Sequence, residues 1–362
     1  MSPRRDRRRG GPLRYIGNKT RLLPFLLRAL ERLEIGGTTA CDPFAGTASV
    51  GRALKCAGWR VHSGDVLALS RAFQVARVVL DAPPRLAGGV REALALLAAS
   101  PPEHGFVTEH YSPAGAAAAA HGRMYFTPEN AGRIDAIRER IDAWSEAGEI
   151  SDEGCQYLLA VLIRAADRVA NTTGVYASFV KTWQPNALRP LELRPIRPAE
   201  PGSPSASGCT AFQGRAEELL RDVGPVDLLY LDPPYNERQY PGYYHLPELL
   251  ARGWRPVPAL RGKTGLIPDD ELRSDWCRRA ACEGALERTL RAAGARHVLL
   301  SYNDEGLIPA GRVEEILRSA GDPDSYRRLE TGYRRYRSDA DGPGRRYTGD
   351  RVRERLHYVR LA

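Results

Sequence analysis

The run Val226-Asp227-Leu228-Leu229-Tyr230-Leu231, followed at once by Asp232-Pro233-Pro234-Tyr235, is the segment that most narrows the possible folds. Apolar residues that hardly alternate mark a strand covered on both faces, the habit of parallel sheets. Two successive prolines extend neither a strand nor a helix, so the strand has to stop where the acid stands. Other segments repeat the order of short strand and polar turn. Residues 38–41 run into Asp42-Pro43-Phe44-Ala45-Gly46 and a helix over 50–57, and residues 59–62 end near Gly64-Asp65 ahead of a helix over 67–80. Residues 297–300 lead to Ser301-Tyr302-Asn303-Asp304, after a helix over roughly 275–293. A further helix over 22–33 carries leucines at helical spacing and stops at Gly36-Gly37. This alternation predicts an α/β fold built on a parallel sheet.

The middle of the chain reads differently. Pro83-Pro84, Pro101-Pro102 and the alanines of 116–120 predict loops with limited helix over 81–127. Thr127-Pro128 makes an N-cap and first-turn pair, after which Ile134, Ile137, Ile141 and Trp144 recur at spacings of three and four, as core residues of a helix do. A second helix should start at Ser151 and bury Leu158, Leu159, Leu162, Ala165, Ala166 and Val169. The expected organisation is a basic disordered arm at 1–11, an α/β domain formed by 12–80 and 209–362, and a mostly helical insert at 81–208.

Charge adds a second constraint. The 362 residues carry a formal net charge of +9, and with only four lysines, arginine supplies 49 of the 53 basic side chains. Residues 1–21 hold +7 and residues 325–362 hold +6, so everything between them sums to −4. A basic surplus confined to the two ends suggests a polyanionic partner, with Tyr333-Arg334-Arg335-Tyr336-Arg337 mixing aromatics and arginines as nucleic-acid surfaces do. No apolar run approaches the roughly 20 residues that cross a bilayer, and Leu13 to Lys19 is no signal-peptide core, so a cytoplasmic protein without membrane contact is expected. The six cysteines form no CxxC pair, and neither a disulfide framework nor a metal is indicated.

The polar clusters all fall at carboxyl ends of predicted strands, the edge where open α/β sheets bind ligands. Gly46 lets a ligand approach the backbone, and Asp65, 23 residues after Asp42, is placed to accept hydrogen bonds from ribose hydroxyls. On this ground alone any nucleoside cofactor fits, although the turn Phe44-Ala-Gly-Thr-Ala-Ser-Val lacks the GxGxxG spacing of nicotinamide enzymes. Asp232-Pro233-Pro234-Tyr235 is more specific. Its rigid prolines can hold the Asp232 carboxylate and the neighbouring carbonyl facing one way, two acceptors for the two N–H bonds of an exocyclic amine, while Tyr235 offers a stacking face.

The chain resembles the D12 class of DNA adenine-N6 methyltransferases, the Dam-like group with α-type motif order, and within it the branch represented by the FokI modification methylase. The matching segments are Leu13-Arg-Tyr-Ile-Gly-Asn-Lys-Thr-Arg-Leu-Leu, Asp42-Pro-Phe-Ala-Gly-Thr-Ala-Ser-Val, Leu231-Asp-Pro-Pro-Tyr-Asn-Glu-Arg-Gln-Tyr with Tyr244-His245, Gly262-Lys-Thr-Gly-Leu and Ser301-Tyr-Asn-Asp-Glu-Gly-Leu. Tyr125-Phe-Thr-Pro-Glu-Asn-Ala and Ala170-Asn-Thr-Thr-Gly-Val-Tyr extend the likeness into the insert.

The resemblance implies a Rossmann-like methyltransferase sheet with a helical target-recognition insert, S-adenosylmethionine as cofactor and methyl transfer to N6 of a flipped-out adenine in double-stranded DNA, as the modification arm of a restriction-modification or related defence system. A separately encoded cognate endonuclease would then be a partner. Carried over position by position, Tyr15 and Lys19 contact the cofactor, Asp42, Pro43, Phe44, Ala45 and Gly46 wrap its methionine end, and Asp65 binds its ribose. Asp232, Pro233, Pro234 and Tyr235 hold and stack the target base, with Asp232 also lining the cofactor site. Asn236, Arg238, Tyr240, Lys181, Arg334, Arg335 and Arg337 are the candidate nucleic-acid contacts. Two departures stand out: Ala48 where the family has glycine, and Arg215 where relatives often have an acid. Cytosine-N4 methylation, RNA adenine methylation and an inactive DNA-binding homologue are the competing readings; Asp rather than Ser at 232 favours adenine.

Overall fold

The computed structural model describes residues 13–268, 270–334 and 351–361, which form two compact units. The first, of 18–82, 197–243 and 269–361, holds a seven-stranded sheet. Its strands are β1 (Thr39–Asp42), β2 (Arg60–Asp65), β3 (Thr210–Gln213), β4 (Val226–Leu231), β5 (Ala295–Asn303), β6 (Gly321–Arg334) and β7 (Arg351–Leu361). They lie in the order β3-β2-β1-β4-β5-β7-β6, parallel from β3 to β5, with β7 antiparallel to both β5 and β6.

The apolar run of β4 is explained by its position at the middle of this sheet. Leu229 and Leu231 pack with Val298, Leu300 and Val359 on one face, whereas Leu228 and Tyr230 pack with Ala40, Leu299 and Leu356 on the other. The one acid in the run, Asp227, sits at the end remote from the polar clusters and accepts hydrogen bonds from the Thr38 and Thr39 N–H groups at 2.8 and 3.1 Å, which lower its pKa and staple the start of β1. Gly37 (φ +144°) passes so close that a Cβ there would lie 2.3 Å from Asp227 Cβ.

Three strands lie where the sequence reading placed none. β3 is four residues long and polar at both ends, too short for periodicity to register. β6 and β7 mix charged with apolar residues, and Arg355 with Glu330 at 3.0 Å and Arg360 with Asp322 at 2.6 Å pair across the strands, so the described part of the basic tail is an edge ribbon. The helix of 67–80 is Ala68–Gln74 followed by a π-helical turn Val75–Val79, and that of 275–293 is shortened to Cys282–Ala292 after a single 3-10 turn, Asp275–Cys277.

The second unit comprises 83–196, 244–268 and the described residues up to Gly17. Thr127 and Ser151 cap the helices Pro128–Glu146 and Asp152–Val169 as expected, accepting from the N–H of Asn130 and Gly154. The segment of 81–127 is more helical than proline content suggests, with helices Gly89–Ala98, Phe106–Tyr111 and Ala116–Ala119. Trp144 is half-exposed instead of core, with the Arg140 guanidinium 5.8 Å above its ring.

The unit boundaries differ from 81–208. Residues 197–208 belong with the sheet, tied by Ala199 N–H to the Arg77 carbonyl and Gly202 N–H to that of Lys55. Residues 244–268 join the helices, where Tyr111 donates to the Gly265 carbonyl at 2.6 Å and Arg123 to the Gly262 and Lys263 carbonyls at 3.0 and 2.9 Å. Of the basic arm, residues 1–12 lie outside the described residues.

Candidate active site

Sheet topology alone gathers the acids. Asp42 ends β1, Asp65 ends β2, Asp232 follows β4 and Ser301 lies late in β5, so neighbouring parallel strands deliver their polar residues to one edge. The turn after β1 stays close to β2: Ala45 N–H donates to the Gly64 carbonyl at 2.9 Å, and Gly46, at φ +51°, donates to Asp65 Oδ2 at 3.0 Å. Leu67 N–H holds the other oxygen, Oδ1, also at 3.0 Å. The Asp65 side chain is thereby fixed at the strand edge, with the Ser70 side chain and the Val66 N–H as further donors. Burial raises its pKa, and these donors only partly restrain the rise.

At the centre stands Lys19, from the 3-10 turn Lys19–Arg21. Its Nζ lies 3.0 Å from Asp232 Oδ1, 2.8 Å from Glu354 Oε1 and 5.6 Å from the Tyr235 ring centroid. Burial alone would lower the lysine pKa, yet the carboxylates of Asp232 and Glu354, with Tyr235 and Tyr230, raise it well above its ordinary value, so the ammonium stays charged. Burial pushes Asp232 up to about 6 against the pull of Lys19, with Glu354 adding to the rise. Asp42, 1% exposed, is raised well above the usual carboxylate range by burial and by the charges of Asp232 and Asp65, while the Phe44 N–H opposes. Two acids on one lysine, with Asp42 and Asp65 at the same strand edge, make an edge whose chemistry suits a cation.

Beside Asp65 opens a cleft of about 410 Å³, bordered by Phe44, Val66, Arg215, Glu218 and Trp276. Phe44 meets Trp276 edge to face, with centroids 5.3 Å apart. The segment carrying Trp276 is bound to the loop after the prolines: Ser274 N–H donates to Gln239 Oε1 at 2.9 Å, and Gln239 Nε2 donates to the Ser274 carbonyl at 3.2 Å.

Lys19, Asp42, Asp65, Asp232 and Tyr235 thus come together in the sheet unit, with Pro43 and Ala45 buried in the first turn, and Pro233 buried and Pro234 half-buried in the second. Asn236 holds its own loop by accepting from Arg238 N–H at 3.0 Å, Arg238 donates to Tyr243 Oη at 2.6 Å, and Tyr240 stands edge-on to Tyr243. Tyr15 belongs to the helical unit, its ring stacked on Tyr244 at 4.5 Å while Arg14 clasps Asp167 and the Thr172 carbonyl. Lys181 is exposed in that same unit. Arg334 ends β6, and Arg335 and Arg337 lie outside the described residues.

Sequence reasoning missed Glu354 and Trp276. Glu354 is one acid in the alternating Arg353-Glu354-Arg355 of a strand that went unrecognised, and nothing local distinguishes it from its exposed neighbours. Trp276 lies in a single 3-10 turn where a helix was expected.

Comparison with known proteins agrees with this geometry. The D12 class N6 adenine-specific DNA methyltransferase family matches residues 15–270. Type II methyltransferase M.NlaIII of Neisseria lactamica is 34% identical over 96% of this chain and 99% of its own length. Type II methyltransferase M.FokI of Planomicrobium okeanokoites is 35% identical over 90% of this chain, and modification methylase LlaI of Lactococcus lactis subsp. lactis 32% identical over 84%; the chain spans about half the length of these two. An acidic strand edge at an Asp-Pro-Pro-Tyr turn and a family match over most of the sequence lead to one conclusion: this chain belongs to the D12 class of N6 adenine-specific DNA methyltransferases.

Proposed function

We propose that the chain methylates N6 of adenine at specific sites in double-stranded DNA, in the cytoplasm, as the modification partner of a separately encoded restriction endonuclease. The observation that carries the reading is the Lys19–Asp232 pair at the head of the Asp-Pro-Pro-Tyr turn, set among buried acids. When bound, S-adenosylmethionine supplies an activated methyl group on a sulfonium sulfur. The donor and acceptor set fits that group: the net-negative edge suits a sulfonium and an ammonium, the fixed Asp65 carboxylate suits ribose hydroxyls, and the Phe44–Trp276 cleft offers apolar faces for a base. Lys19, with two of its three donors on Asp232 and Glu354, keeps one for the methionine carboxylate.

Asp232 and the Pro233 carbonyl accept the two N6–H bonds of the target adenine, which draws the amine lone pair out of the ring and stabilises the positive charge that grows on nitrogen. Alignment then supplies much of the rate. Tyr235 stacks on the base, worth about 1–3 kcal/mol, which offsets a good part of the few kcal/mol that flipping costs. Asn236, Arg238, Tyr240, Lys181, Arg334, Arg335 and Arg337 are assigned to the nucleic acid, with the helical unit reading sequence.

The test is transfer from radiolabelled S-adenosylmethionine to DNA or RNA, followed by digestion and chromatography of nucleosides. Label in N6-methyldeoxyadenosine is expected; label in N4-methylcytosine, or only in RNA, refutes the assignment.

A further inference from the structure

Glu354 is buried to 1% exposure on β7, and none of the family motifs contains it. The antiparallel register sets it opposite Asn303 and diagonal to Ser301, on one face of the sheet. Two donors converge on the same oxygen, Oε1: Ser301 Oγ at 2.5 Å and Lys19 Nζ at 2.8 Å. The other oxygen, Oε2, is buried and has no hydrogen-bond partner among the described residues. A carboxylate kept for fold stability would not leave one oxygen so placed, because an unsatisfied buried acceptor costs about 1–3 kcal/mol. Lys19 in turn lies 3.0 Å from Asp232 Oδ1.

We propose that Glu354 is a positioning residue for methyl transfer: by sharing the Lys19 ammonium it keeps that lysine from closing on Asp232 alone, and so leaves the Asp232 carboxylate directed at the exocyclic amine. The inference rests on the methyltransferase reading. The groups acting on Asp232 are Lys19 before the first helix, Asp42 on β1, Tyr230 on β4 and Glu354 on β7, with Tyr235 in the turn facing Lys19. Neutralising Glu354 removes one negative neighbour and leaves Lys19 wholly to Asp232. Both changes favour the ionised Asp232, so the acid limb of the rate profile should move to lower pH even as geometry worsens.

The experiment compares wild type with Glu354→Gln, which preserves shape, and Glu354→Asp, which preserves charge. In Glu354→Gln, kcat is expected to fall about ten- to a hundredfold, the scale of a misplaced reacting group, with the acid limb displaced downward. Cofactor Kd by calorimetry should stay within about threefold, so the effect is not one of binding. Glu354→Asp should recover part of kcat. A folded Glu354→Gln enzyme with wild-type kcat and acid limb overturns the proposal, as does a loss seen only in Kd or thermal stability. If Glu354→Gln fails to fold, Ser301→Ala, which loosens the same oxygen, is read by the same measurements, and wild-type values there overturn it equally. A wild-type enzyme that labels no adenine sinks the functional reading and this inference together, whereas active wild type with indifferent variants sinks the inference alone.

Discussion

Asp232→Asn should abolish methyl transfer and, at neutral pH, make the protein more stable. The carboxyl is buried, its pKa is raised from an ordinary 3.8 to about 6, and the displacement corresponds to about 3 kcal/mol. The sign follows from proton binding. Between those two values the folded state holds a proton that the unfolded state has released, so stability falls as pH rises through the window and the full penalty persists above it. Asparagine keeps the shape without the charge. The stability difference, variant minus wild type, should therefore be roughly half its full value at pH 5 and level off near 3 kcal/mol above about pH 7. For a sheet unit of roughly 200 residues that is about 6–12 °C in midpoint. Urea unfolding of both proteins at pH 5, 6, 7 and 8 measures it, alongside the labelling assay. Equal stability at pH 8, or a gap that shrinks as pH rises, would refute the idea that the site stores electrostatic strain.

Ala48 adopts φ +58°, ψ 33° at the start of the helix Ser49–Cys56, the position where the family has glycine, so Ala48→Gly should stabilise the protein by about 1 kcal/mol in chemical denaturation; a loss instead would mean the methyl contacts outweigh the strain. Because burial raises Asp42 and Asp232, cofactor binding near pH 6 should release protons, giving calorimetric enthalpies that vary with the buffer's ionisation heat; buffer-independent heats count against an acidic cofactor site. Trp276→Ala should weaken cofactor binding about three- to tenfold, the worth of one aromatic face, with unchanged affinity removing the cleft from the cofactor site.

Much of this arrangement was legible in the residues. A central strand needs apolar side chains on both faces and prolines need an end, so β4 and Asp232 could be placed from sequence, as could Asp42 and Asp65 from their turns. Helix caps at Thr127 and Ser151 are local chemistry and were equally readable. What escaped depends on partners far along the chain. β6 and β7 bury apolar residues of both core clusters but set them among arginines that form cross-strand ion pairs, so their composition imitates a solvated tail. The exchange of 197–208 and 244–268 between units is likewise invisible locally, because it is made by hydrogen bonds to backbone carbonyls that any sequence supplies.

The interior position of β7 has a consequence for how the protein is made. That strand is inserted between β5 and β6, and it brings Glu354 to a lysine 335 residues earlier. At about 5–20 residues per second, the ribosome needs roughly 20 to 70 s to separate the two synthesis events. Once made, Asp232 shares Lys19 without their third partner until Glu354 follows 122 residues later, and β5 presents an open edge from its own synthesis until then. A nascent or prematurely terminated chain that already carries every recognisable family motif therefore still lacks the finished site, so competence arrives with the final strand and not with the motifs.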